Sequence, residues 1–215
     1  MKWRYLGSLV AALLALCPYS AESGSILQSK HNLSVTGPGQ VRAQSETRVC
    51  VFCHSSHRAS AAGPLWNRPD GARNDFEVYE RATMVARPGQ PTGSTRLCLS
   101  CHDGTVAVGA VLSMKSQVRM SGTDTRGRIR AGSASNLGHD LSSTHPVSFR
   151  YDQDLALQNP RIRWPIADPA GVVGVDANSQ VQCTSCHDPH NSKSERYPFW
   201  RKSTFQEVCV SCHRL

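Results

Sequence analysis

Residues 182 to 190 read QCTSCHDPH. Cys183, Cys186 and His187 form a CxxCH unit, and His190 follows three positions after His187. The longer pattern, CxxCHxxH, recurs as CVFCHSSH at 50–57. Two further units, CLSCH (98–102) and CVSCH (209–213), lack the second histidine. Along the chain the order is long, short, long, short. Of the nine cysteines, only Cys17 lies outside these four units.

CxxCH is the attachment signature of c-type haem. Two thiols add to the vinyl groups, and the adjacent histidine reaches the iron. The covalent attachment residues are therefore expected to be Cys50, Cys53, Cys98, Cys101, Cys183, Cys186, Cys209 and Cys212. The proximal ligands are expected to be His54, His102, His187 and His213, giving four covalently bound haem c groups. Disulfides are the usual reading of cysteine-rich exported chains, and zinc sites also pair CxxC units. Neither chemistry requires a histidine directly after every pair.

The N-terminus fits export. Met1 to Arg4 is basic, YLGSLVAALLAL (5–16) is apolar, and AES (21–23) offers small residues for cleavage before Gly24. The apolar run falls short of the roughly 20 residues that span a bilayer. Cys17 would be a lipid-attachment site only with a small residue before it, and Leu16 is bulky. No transmembrane segment is expected after signal removal. The protein is placed in the periplasm or at the cell surface.

A formal net charge of +8 invites a nucleic-acid reading. Haems change that sum, because each carries two propionates. Four of them would bring the mature ferric protein to about +3 and the ferrous one to about −1, with arginines neutralising propionates. No nucleic-acid partner is expected.

The histidines carry a repeat. His31-Asn32-Leu33-Ser34-Val35 precedes the first long unit, and His145-Pro146-Val147-Ser148-Phe149 precedes the second. Both fit H-x-[LV]-S-[VF]. The chain thus reads as two copies of one plan. The expected division is a signal at 1–23, a di-haem unit at 24–114, a polar loop or linker at 115–136 and a second di-haem unit at 137–215. Spacings between the ligands differ widely between the copies, as they would if iron geometry fixed only the ligand order.

Long amphipathic runs are missing. The expected fold is mostly irregular, with short helices around the CxxCH units, one of them across FQEVCVSCHRL (205–215), and little β structure. VAVGAVL (106–112) is a strand or a buried helix. At about 48 residues per haem the macrocycles would form most of the core.

Each iron has a second axial position. His190 cannot reach the iron held by His187, because three residues extend only about 10–11 Å, too little to go around a tethered macrocycle. It must serve another iron or none, and the same holds for His57. The distal candidates are His31, His57, His145 and His190, with His57 and His190 reaching a partner haem. His139 stands outside the repeat and reads as a spare histidine, ligation being the alternative. Met84, Met114 and Met120 read as packing, and Trp66, Trp164 and Trp200 as haem packing. Iron with two histidines has no open position for substrate, which favours electron transfer over catalysis.

KHNLSVTGPG, CVFCHSSH followed by GPLWNR, PTGSTRLCLSCHDGTVAVGAV, DLSSTHPVSF and QCTSCHDPH resemble exported multihaem c-type cytochromes with doubled CxxCH motifs. The resemblance covers most of residues 29 to 215 apart from the loop at 115–136. Some tetrahaem relatives polymerise into extracellular filaments in which a neighbouring subunit supplies one distal histidine. The resemblance implies redox protein partners or an extracellular electron acceptor, and self-association through haem ends. His31, near a free N-terminus, is the residue such an exchange would use. The competing expectation is a multihaem reductase with one open-coordination haem.

Overall fold

The structure is a computed structural model that describes residues 26–61, 63, 65–71, 74–190 and 199–215. The expected signal segment and Cys17 lie outside the described residues.

Regular structure is sparse and clusters on the CxxCH units. Short 3-10 turns cover Ile26–Gln28 and Cys50–Phe52. Helix α1 is Gly93–His102 and α2 is Gln153–Gln158. Helix α3 is Cys183–Cys186 and α4 is Phe205–Cys212. Strands are two residues long: β1 (Arg42–Ala43) pairs antiparallel with β2 (Met120–Ser121), and β3 (Phe149–Arg150) with β4 (Gln180–Val181). The mostly irregular fold expected from the sequence is the one observed.

Helix α4 starts at a reciprocal cap. The Thr204 hydroxyl accepts from the Glu207 amide at 3.2 Å, and the Glu207 carboxylate accepts from the Thr204 amide at 2.9 Å. Its neighbour α3 is one turn, begun by a similar exchange between Gln182 and Ser185.

Two sequence expectations are corrected. VAVGAVL is neither strand nor helix: residues 106–112 form a turn-rich loop with Val108 and Val111 buried. Its backbone makes one turn bond of its own, from the Ala110 amide to the Ala107 carbonyl at 3.0 Å, and otherwise bonds to other segments. Val108 donates to the Gly127 carbonyl at 2.7 Å, and Leu112 donates to that of Asn67 at 3.0 Å. Residues 115–136, expected as an exposed polar loop, are partly packed. Val118 and Ile129 are buried, β2 lies within the segment, and Val118 joins Phe52, Ala43 and Val111 in a core cluster. The polar composition of this stretch hid two apolar anchors.

The described core is three separate clusters. One gathers Phe149, Tyr151, Leu155, Ile162 and Val181; another Ala43, Phe52, Val111 and Val118; the third Phe76, Leu99 and Leu141. Each cluster holds only three to five buried residues. Two of the CxxCH units are joined where α1 packs on α3. The contact is polar and tight. Thr95 donates its hydroxyl to Gln182 Oε1 at 2.6 Å and accepts the Cys183 amide at 3.1 Å. Ser94 and Thr184 share a hydrogen bond at 2.6 Å. Gly93, at φ +49°, permits the approach, since a β-carbon there would lie 3.1 Å from Gln182 Nε2.

Candidate haem-binding site

The four CxxCH units are called site 1 (Cys50, Cys53, His54), site 2 (Cys98, Cys101, His102), site 3 (Cys183, Cys186, His187) and site 4 (Cys209, Cys212, His213). At sites 1, 3 and 4 the histidine amide donates to the carbonyl of the first cysteine, at 2.8, 3.0 and 2.9 Å. All eight thiols are free. Among the described residues no group of three or more His, Cys, Asp or Glu is arranged to hold a metal ion by itself.

The histidines are brought together in pairs. His31 faces His102 with ring centroids 6.0 Å apart, His190 faces His54 at 6.0 Å, and His145 faces His213 at 6.2 Å. Two imidazoles on opposite sides of one iron, with metal–nitrogen bonds near 2 Å, have centroids about 6.3 Å apart. The three separations fit an iron between each pair. The ring planes differ: 17° for His54 and His190, 60° for His31 and His102, and 75° for His145 and His213.

Protonation and hydrogen bonding favour the ligating form. Burial, followed by the neighbouring His102, His190 and His187, lowers the His31 pKa to about 4. Burial also lowers His102, and burial together with the facing histidine lowers His54 and His213. A neutral imidazole is the form that binds iron. The Nδ1 atoms of His102 and His145 lie 2.7 and 2.8 Å from the carbonyls of Ser135 and Pro146. A carbonyl can only accept, so Nδ1 carries the proton and Nε2 is left with its lone pair for a metal.

His190 crosses between the two copies to meet His54. The Asp188 carboxylate accepts its amide at 3.0 Å and fixes the turn that carries it. His31 lies against His102 of the same chain and stacks on Phe199 at 4.4 Å. The segment before it is tied down locally, with Asn32 donating to the Leu27 carbonyl at 2.8 Å. His57 is exposed, and its ring makes no ring contact among the described residues. His187 stacks face to face on Trp200 at 4.3 Å. His139 directs Nε2 at the Asp75 carbonyl and stacks on Phe76.

The thiols also meet across sites. Cys53 is pushed up to about 12 by burial and next by Cys101, so sites 1 and 2 adjoin. A hydrogen bond links Cys98 to Cys183, raising the first thiol and lowering the second, so sites 2 and 3 adjoin. Burial, with Cys212 and Cys209 beside it, pushes Cys186 up to about 12, so sites 3 and 4 adjoin.

One repeated element escaped the sequence reading. After each long unit comes P-[LF]-W-[NR]-[RK]: Pro64 to Arg68 and Pro198 to Lys202. In both copies the second residue takes a left-handed conformation, Leu65 at φ 57° and Phe199 at φ 63°. Both tryptophans then bridge antiparallel to the proximal histidine, Trp66 to His54 and Trp200 to His187. The flanking bonds match as well. Ser55 donates to Leu65 at 2.8 Å and Asp188 to Phe199 at 2.7 Å; Asn67 donates to Cys53 and Arg201 to Cys186, both at 2.9 Å. The signal was present in the sequence, as a Pro-x-Trp shortly after each CxxCHxxH, at Pro64 after His57 and at Pro198 after His190.

Paired thiols beside a histidine thus recur at four places along a mostly irregular chain. A family model described as the doubled CXXCH motif matches residues 176–214, which span sites 3 and 4. No curated protein matches the chain.

Proposed function

We propose that the chain is a tetrahaem c-type cytochrome that carries electrons through bis-histidine haems in the periplasm or at the cell surface. The facing histidines support this reading most directly: three of the four CxxCH histidines have a second imidazole at 6.0–6.2 Å. His57 is the remaining repeat histidine, and it is assigned to the iron at His187. That assignment makes His57 and His190 a reciprocal exchange between the two long units.

In this reading the haem supplies one-electron chemistry and the chain supplies its order. Thiol neighbours run from site 1 to 2, 2 to 3 and 3 to 4. Thioether edges would therefore adjoin in chain order, and electron transfer is fastest between adjoining edges. Bis-histidine ligation closes both axial positions and predicts lower potentials than a Met/His site. Redox proteins or an extracellular acceptor are the partners.

Carbon monoxide tests the reading against a reductase. Ferrous protein should show no spectral shift with CO, because no axial position is open. A shift at one haem would favour the reductase. Assembly into filaments is a second reading, favoured by the exposed His57 imidazole, which could enter the next copy. Images of concentrated protein decide it: threads support filaments, and separate particles exclude them.

A further inference from the structure

The chain's excess of positive charge is gathered in one place. Residues 26–69 and 104–136 hold ten lysines and arginines against two acids, Glu46 and Asp124, while the rest of the chain carries equal numbers of each sign. Both acids are already used: Glu46 pairs with Arg48 at 2.8 Å and Asp124 with Arg128 at 2.9 Å. Arg42, Arg119, Arg126 and Arg130 are exposed, and no ion pair among the described residues includes them.

The two stretches meet at the β1–β2 ladder. Arg42 stands opposite Ser121 and Ala43 opposite Met120. Gln44 donates to the Arg119 carbonyl at 3.0 Å, which carries the contact one residue further. Side chains alternate across a strand, so Ala43 and Met120 share one face while Arg42, Arg119 and Ser121 share the other. The first face joins the cluster around Phe52, against which Cys53 of site 1 also packs. The second turns its two arginines away from that cluster and into solvent. Arg130 comes back to the same ladder, donating from Nε to the Thr123 carbonyl at 3.0 Å, and Arg126 lies in the loop closed by the Asp124 amide on the Arg128 carbonyl at 2.9 Å. The end of the segment reaches site 2, where the Ser135 carbonyl lies 2.7 Å from His102 Nδ1. A cationic face thus lies one ladder's thickness from site 1 and runs on to site 2.

We infer that this face is the docking surface for an acidic one-electron redox protein, which exchanges electrons with the chain at sites 1 and 2. One electron passes between the partner's redox centre and a haem iron, and no bond or proton changes place. The inference rests on the haem reading above. Charge complementarity selects the partner: unpaired cations on one side of the molecule steer an anionic surface to that side. Val118 and Ile129, the bulky aliphatic residues of 115–136, are buried, so the segment offers no apolar wedge to a bilayer. It holds no aromatic residue on which a base would stack.

The experiment is stopped-flow reduction of the haem-loaded protein by a reduced plant-type ferredoxin, an acidic one-electron protein, at about 20 mM and about 500 mM salt. The triple variant Arg42→Glu, Arg119→Glu, Arg126→Glu is compared with wild type and with Arg81→Glu, Arg87→Glu, Arg161→Glu, which makes the same charge change at exposed positions elsewhere. Wild type should slow about tenfold between the two salts, the first triple should already be about tenfold slower at low salt, and the second should follow wild type. Equal slowing in both triples, or none in the first, overturns the docking face. If the first triple fails to load haem, the same three positions changed to Gln decide, with the same ordering expected. A wild-type chain without haem would overturn the haem reading, whereas haem-loaded variants with unchanged rates overturn only the docking face. Pelleting of wild type with phosphatidylglycerol vesicles at about 150 mM salt, lost in the first triple, would assign the face to a membrane and overturn the proposal.

Discussion

His190 shows how much a single imidazole can decide. It leaves its own CxxCH unit and faces His54 at 6.0 Å. His190→Ala should therefore open the site 1 iron rather than the iron of its own unit: one haem per chain becomes high-spin and binds CO, with total haem unchanged. His139→Ala should leave every haem low-spin, since His139 spends its Nε2 on the Asp75 carbonyl. The CxxCH candidates were legible in the sequence because five adjacent residues carry the whole signal. Which histidine rings face each other was not, because each pair joins segments whose approach depends on the folded chain. His57 and His190 look alike in sequence, yet only His190 is drawn in to a facing histidine ring among the described residues.

Between elements, Gln182 is the joint. It is 1% exposed, accepts from Thr95 at 2.6 Å, and donates to the Asp176 carboxylate at 2.9 Å. Gln182→Leu would strand several buried polar groups at the α1–α3 contact. Each such group costs about 1–3 kcal/mol, so a loss of about 2–4 kcal/mol is expected in denaturant unfolding followed by haem absorbance. Thr204→Ala removes the α4 cap and should cost about 1 kcal/mol by the same assay. Helix α4 was readable from its sequence because cap, apolar positions and CxxCH all fall within residues 204–213. VAVGAVL was not readable as a loop, because its apolar residues are satisfied by Arg68, Asn67 and Gly127, none of them its neighbours in sequence.

On the scale of the whole molecule, three small clusters do not make a continuous core. The haem-free chain should lack a cooperative unfolding transition, a consequence of ordering many residues over little buried apolar side chain. Calorimetry of chain produced without haem attachment checks this; a sharp transition would mean the polypeptide folds by itself. The two-copy plan was visible in the histidine order, and the structure adds the matching Trp66 and Trp200 bridges. What the sequence left hidden was the contact between copies, since α1 and α3 meet through Ser, Thr, Gly and Gln rather than through an apolar pattern. No described helix is long and apolar enough to cross a membrane. The central claim is a haem at every CxxCH unit, and the intact mass of the purified mature protein tests it most directly. Four covalent haem increments above the polypeptide mass are predicted, and two increments, confined to sites 3 and 4, would contradict the account.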